Sequence, residues 1–240
     1  MKLSFRGRTA LILGGGSEIG LALAALLREE GLQTVPTHVS DAGLAAIAAR
    51  FPGTHSPRLD LGERDLGTLG PVLDAGVDYL VDLAQADLEA LLPSAGEAAE
   101  AYLEAHISGR LRLLKAVTRS MLPRRFGRLV FVSSTAAALP APGQGLYGAA
   151  KRAAEGLYQG LGIELGARGM TTVSLRLGLV DAGRGRRFLD GAGRRDSLGE
   201  TAVTVEQAAA TLLFLLSDQA LAMTCTTITM DAGLTARKYA

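Results

Sequence analysis

A chain of 240 residues, 48 % hydrophobic and with a formal net charge of +1, can fill one large core and carries no global field for nucleic acid or an anionic membrane. Cys225 is its only cysteine, which excludes an internal disulfide and a cysteine-only metal site, and no metal is expected. Met1–Leu13 lacks the apolar run and cleavage site of a signal peptide, and no window reaches the ~18 uncharged apolar residues of a membrane span, so a cytoplasmic protein is expected.

Strand-length apolar runs begin at Thr9–Leu13 (TALIL) and return at Gln33–His38, Val77–Leu83, Arg128–Val132, Thr171–Leu177 and Thr226–Asp231, with a weaker one near Thr54–Leu59. They show little polar alternation, as strands covered on both faces do. Helical stretches lie between them at Glu18–Glu30, Asp41–Arg50, Glu97–Leu122, Leu146–Gly166 and Val205–Ser217. The alternation predicts an α/β fold with right-handed crossovers, a doubly wound parallel sheet of about seven strands, in one domain spanning residues 1–240. Asp181–Thr201 breaks the rhythm: it is rich in Gly and Arg and has no clear period, and a loop that long is usually functional or mobile.

Leu13-Gly14-Gly15-Gly16-Ser17-Glu18-Ile19-Gly20 follows the first strand and opens a helix. Glycines there let the backbone approach a pyrophosphate, whose charge the helix N-terminus favours; the alternative is a tight turn with no ligand. Glu18 would repel a phosphate, so its side chain is expected to turn outward. Further along, Tyr147 and Lys151 stand four apart on one helix face, and Ser134 lies thirteen residues before Tyr147 at a strand end. Carbonyl reduction needs a proton donor beside the hydride acceptor, and an ammonium next to a phenol favours the phenolate.

Together these residues resemble the short-chain dehydrogenase/reductase family, and the resemblance runs through the whole chain. Gly14, Ile19 and Gly20 match its TGxxxGIG signature, with Leu13 replacing the Thr and Glu18 the middle Gly. The resemblance implies a three-layer Rossmann fold and an NAD(P)-dependent oxidoreductase acting on CH–OH or C=O groups through Ser134, Tyr147 and Lys151. It implies cofactor contacts at Gly14, Ser17, Glu18, Ile19, Gly20, His38, Asp60, Leu61, Leu83, Ala84, Tyr147, Lys151 and Val180. His38 takes the place where an acid would select NAD; with Ser17 and Ser40 near it, NADP is favoured and NAD stays open, while Asp41 reads as the cap of the next helix. His106 stands where the family has an Asn that holds a relay water; an imidazole there would bind the same water or, titrating near ~6.5, carry the proton itself. Departures gather nearby: Asp82-Leu83-Ala84-Gln85 stands for NNAG, Leu177-Gly178 for Pro-Gly, Ala182 for a Thr, and Met230-Asp231-Ala232-Gly233 for VDGG.

Thr37, Ser40 and Gly43 resemble the 3-oxoacyl-acyl-carrier-protein reductases, in which basic residues at the positions of Arg125 and Arg168 dock the acidic carrier. Arg124 and Arg128 add to that group, although helix ends also favour Arg for dipole reasons. Arg184, Arg186, Arg187, Arg194 and Arg195 suit a phosphopantetheine, a CoA phosphate or an acidic substrate if they cover the site, and form a solvated loop if they do not. The leading reading is reduction of a ketone, free or carrier-bound, with 3-oxoacyl thioesters first and acyl carrier protein as partner. Its rivals are an alcohol, sugar or steroid dehydrogenase of the family, and a degenerate member acting as a nucleotide- or partner-binding scaffold. The long helices, rich in Ala and Gly, predict a homodimer or homotetramer.

Overall fold

Alternate residues of the first strand face opposite sides of the sheet: Ala10 and Ile12 enter one core, Leu11 and Leu13 the other. The computed structural model describes residues 2–86, 88, 90–191 and 202–237. Six parallel strands, β1 (Thr9–Leu13), β2 (Gln33–Pro36), β3 (Tyr79–Asp82), β4 (Gly127–Ser134), β5 (Met170–Leu177) and β6 (Thr226–Met230), pair in the order β2-β1-β3-β4-β5-β6. The helices are α1 (Glu18–Glu29), α2 (Asp41–Arg50), α3 (Gly70–Ala75), α4 (Glu97–Leu103), α5 (Arg110–Met121), α6 (Gly145–Leu165), α7 (Gly183–Leu189), α8 (Val205–Leu216) and α9 (Leu234–Arg237). Leu23 and Leu27 of α1 and Leu212 and Leu216 of α8 cover one face, while Leu113 and Val117 of α5 and Ala154 and Tyr158 of α6 cover the other. Each such fully buried aliphatic side chain contributes roughly 1.5–3 kcal/mol of transfer free energy, and this holds the three layers together.

The fold differs from the sequence reading in several places, each with a physical reason. Thr54–Leu59 forms one bridge, His38 with Arg58, because Pro57 has no N–H with which to extend a ladder; the sheet therefore has six strands. β6 is an edge strand, with Thr226, Thr227 and Thr229 exposed rather than covered on both faces. Ser40, not Asp41, caps α2: its Oγ accepts the Gly43 N–H at 3.2 Å, and Asp41 is the first helical residue. The expected helix Glu97–Leu122 is interrupted by a π-helical turn at Glu104–Gly109. Within the stretch read as a loop, Gly183–Leu189 is helical; Arg194 and Arg195 lie outside the described residues. Among the described residues, no helix is long and apolar enough to cross a membrane, and no group of three His, Cys, Asp or Glu could hold a metal ion.

Candidate active site

The chain winds to opposite sides of the sheet from β1 and β3, and a crevice opens where their carboxyl ends diverge. The glycine loop floors it. Gly14 takes a left-handed φ of 68°, and a Cβ on Gly16 would fall 2.7 Å from Gly43 Cα. Thr37 holds the loop down, its carbonyl accepting the Gly15 N–H at 2.9 Å and its Oγ1 the Gly14 N–H at 3.3 Å. Ser17 caps α1, accepting the Gly20 N–H at 3.1 Å and donating to the Gly14 carbonyl at 2.8 Å.

From this loop a cleft of about 460 Å³ runs past His38, Asp60 and Leu61 to Leu83, Ala84 and His106. His38 Nδ1 lies 2.9 Å from Ser56 Oγ, and Asp60 Oδ1 accepts the Gly62 N–H at 2.9 Å. Side-chain-free glycines at a helix N-terminus beside an apolar slot fit a dinucleotide. Glu18, Ile19, Gly20 and Val180 stand outside the cleft walls: Gly20 is buried beneath the loop, and Ile19 and Val180 pack against the core. The Glu18 carboxylate leaves the loop altogether. Its Oε2 accepts Arg186 Nη2 at 2.8 Å and its Oε1 accepts the Gly183 N–H at 3.1 Å, so the charge is matched at the start of α7.

The residues expected to act as acid and base meet at the end of β4. A Cβ on Gly148 would lie 2.5 Å from the Ala136 carbonyl, so only glycine lets α6 begin against the turn that follows Ser134. That contact brings Tyr147 and Lys151 to the strand end. Ser134 Oγ accepts the Ala136 N–H at 3.2 Å, and Lys151 Nζ donates to the Val132 carbonyl at 2.7 Å while sitting 5.8 Å from the centre of the Tyr147 ring. Burial, and next the charge of Arg110, bring Lys151 down to about 7 against the opposing pull of Asp82. The Arg184 guanidinium carbon stands 4.6 Å over the Tyr147 ring. Behind Ser134, Glu155 accepts from Ser133 Oγ at 2.6 Å and from Arg176 Nε and Nη2 at 2.7 and 2.6 Å, tying β4, α6 and β5 together.

His106 lies in the π-turn, 4 % exposed, and its Nε2 accepts the Ala86 N–H at 3.2 Å. Its ring packs on Tyr102 with centroids 4.4 Å apart, and its buried Nδ1 has no partner among the described residues. Burial, then Arg110 and Lys151, hold it down to about 4, so the ring is neutral at pH 7. With Nε2 accepting, the neutral ring carries its hydrogen on Nδ1.

Three buried charges escaped sequence reasoning. Asp82 and Arg110 pair at 2.7 Å with no exposure, and the one available signal was an acid inside an otherwise apolar strand. Arg128, grouped above with the basic surface residues, is also fully buried: its guanidinium caps the end of α8 and the turn after it by donating to the carbonyls of Leu215, Met223 and Ala220. Arg124 is engaged by Asp78 at 3.0 Å, while Arg125 is exposed and donates to the Ala167 carbonyl at 3.1 Å, next to exposed Arg168.

A phosphate cradle and an acid–base pair sharing the carboxyl edge of one parallel sheet is the arrangement of nicotinamide-dependent oxidoreductases. The family model described as enoyl-(acyl carrier protein) reductase matches residues 15–235, and the chain belongs to the short-chain dehydrogenase/reductase family. Over 249 residues it is 29 % identical to the 3-oxoacyl-[acyl-carrier-protein] reductase of Escherichia coli, covering 97 % of this chain and 99 % of that one. It is 28 % identical to carbonyl reductase [NADPH] 2 of Sus scrofa, covering 97 % and 98 %. Among solved structures it is similar to a gluconate 5-dehydrogenase from Burkholderia cenocepacia in complex with NADP and tartrate, with a TM-score of 0.85, 26 % identity and 97 % of each chain covered. The protein is an NAD(P)-dependent oxidoreductase of this family.

Proposed function

We propose that this chain is an NADPH-dependent reductase of 3-oxoacyl thioesters, working through Ser134, Tyr147 and Lys151. The observation that carries the reading is the buried Lys151 ammonium beside Tyr147 at the strand end that bears Ser134. When bound, the nicotinamide supplies the hydride. Ser134 Oγ bonds the ketone oxygen, Tyr147 Oη gives it a proton, and Lys151 Nζ stabilises the phenolate left behind and holds the nicotinamide ribose. His106 Nδ1–H holds a water behind Lys151. Gly14 and Ser17 bind the pyrophosphate, with Gly20 and Ile19 supporting that loop from beneath; Asp60 and Leu61 take the adenine, and Leu83 and Ala84 form the remaining wall, with Val180 behind it. His38, with Ser17 and Ser40, takes the 2′-phosphate, since no carboxylate occupies that position.

The Escherichia coli relative supports a 3-oxoacyl substrate on an acyl carrier protein, and the adjacent Arg125 and Arg168 suit an acidic carrier. Both lie at the end of β4 opposite Ser134, roughly 25 Å away by strand rise, so carrier docking there serves Tyr147 of a second copy in a symmetric dimer or tetramer. Arg184 over Tyr147 favours a second substrate class, sugar acids and other small anions. Titration with NADPH and NADH, followed by turnover of 3-oxoacyl thioesters and sugar acids, tests the reading. Tighter NADPH binding and thioester reduction are expected, whereas turnover of sugar acids alone would replace it with the second. Arg125→Glu with Arg168→Glu should lower kcat/KM about ten-fold or more for the carrier-bound thioester and leave the CoA thioester within two-fold. Light scattering at micromolar concentration should report a dimer or tetramer, and a monomer would remove the docking scheme.

A further inference from the structure

We infer that Arg110 is a positioning residue of this active site, acting on Lys151 and His106 from a buried pair with Asp82. Arg110 Nε donates to Asp82 Oδ2 at 2.7 Å, and the Tyr158 hydroxyl donates to the same oxygen at 3.0 Å. The rest of the guanidinium reaches backbone on two separate segments: Nη1 donates to the His106 carbonyl at 2.7 Å and Nη2 to the Ala84 carbonyl at 2.5 Å. The backbone N–H of Arg110 bonds the Ile107 carbonyl three residues back, which leaves the His106 carbonyl, inside the π-turn, to the Arg110 side chain. Asp82 also accepts the Ala84 N–H at 3.1 Å, so the pair braces both the cleft wall and the turn.

The same guanidinium shares the Phe131 ring with Lys151 as a second buried cation. The Arg110 carbon and Lys151 Nζ lie 5.1 and 4.9 Å from the centre of the Phe131 ring, which stacks on Tyr158. Around Lys151 are Arg110 and His106 on the helix after the cleft wall, Asp82 on β3, and Tyr147, Glu155 and Tyr158 on its own helix. Arg184 approaches across Tyr147, and Arg176 of β5 neutralises Glu155. Of the charged neighbours Arg110 weighs most on Lys151 and Asp82 next, with opposite signs. Arg110 keeps its charge at every working pH, so it supplies a constant positive potential behind Tyr147 and leaves Lys151 Nζ free to exchange its proton near neutrality.

This inference rests on the reading of Lys151 as a site residue, but its test needs neither cofactor nor substrate. The chain has four lysines, Lys2, Lys115, Lys151 and Lys238, so lysine ¹³Cε resonances of the apo protein can be followed across pH and assigned with Lys151→Arg. A unit charge ~10 Å away at an effective dielectric of ~30 moves such a midpoint by about one pH unit. Arg110→Met should raise the Lys151 midpoint by about that much and Asp82→Asn should lower it. The double variant, in which a neutral pair of similar volume is expected to fold, should lie above wild type and below Arg110→Met. Arg110→Lys, which keeps the charge, should restore the midpoint to within ~0.3 unit of wild type. A purely structural Arg110 would lower stability and move none of these values. Midpoints that stay within ~0.3 unit of wild type in the folded variants, or the reverse order, overturn the inference. Should a single variant not fold, the double variant decides, since an unmoved or lowered midpoint there contradicts a dominant Arg110.

Discussion

The two sides of the crevice are built differently. The acid–base edge is a rigid junction: Gly148 lets α6 meet the turn after Ser134, the Ser133–Glu155–Arg176 cluster locks it from behind, and its residues follow the family pattern. The cofactor wall keeps the glycine cradle but replaces what surrounds it, with Glu18 tied to Arg186, Asp82 paired with Arg110, and a neutral His106 in the π-turn. Each replacement brings its own compensation. A charge introduced beside a dinucleotide site is tolerable once a partner of opposite sign neutralises it, so departure from a motif does not by itself signal loss of the ligand.

The largest effect should come from the conservative edge. Tyr147→Phe is expected to lower turnover by ~10²–10⁴-fold and leave NADPH affinity within a few-fold, because the hydroxyl serves only the proton step. Unchanged turnover would remove Tyr147 as the acid and with it half of the contrast. Lys151→Ala should damage turnover and weaken NADPH binding together; loss of activity with affinity untouched would deny Lys151 its hold on the ribose.

Lys151 also links that edge to stability. Its folded value near 7 lies below its ordinary 10.5, so between these limits the unfolded chain binds more protons and stability rises with pH. The gain is of the order of a few kcal/mol, present in full above about 10.5 and lost as pH falls toward 7. Chemical denaturation of the apo protein from pH 7 to 10 should show that slope in wild type, and Lys151→Ala should flatten it. An identical slope in both proteins would mean that Lys151 is not held down by its surroundings.

The smallest effect belongs to Glu18. With Arg186 already matching its charge, Glu18→Gly should tighten NADPH binding by about three- to ten-fold at low salt and less at high salt, as Arg186 turns to the phosphates. Weaker binding by the variant would show that the Glu18 bridge to α7 helps to hold the cofactor.

Much of this was legible in the sequence because local signals carried it. TALIL followed by three glycines marked β1 and the turn after it, and the spacing of Ser134, Tyr147 and Lys151 foretold that these three meet at one strand end. The compensations were hidden because they join distant positions: Glu18 and Arg186 are 168 residues apart, Asp82 and Arg110 are 28 apart, and neither pair leaves a periodic trace. Nothing local to Arg110 marks it as buried, and Arg128, at the start of its strand, stands close to the exposed Arg124 and Arg125. Only the three carbonyls around its guanidinium reveal that Arg128 is an internal cap.

Label transfer tests the central claim most directly. NADPH carrying deuterium at one C4 position or the other, mixed with the enzyme and a short 3-oxoacyl thioester, should deliver one deuterium to C3 of the 3-hydroxyacyl product from only one of the two labelled forms, and Tyr147→Phe should suppress the transfer. Product without deuterium from either form, or NADPH that neither binds nor is consumed with any ketone, would contradict the account.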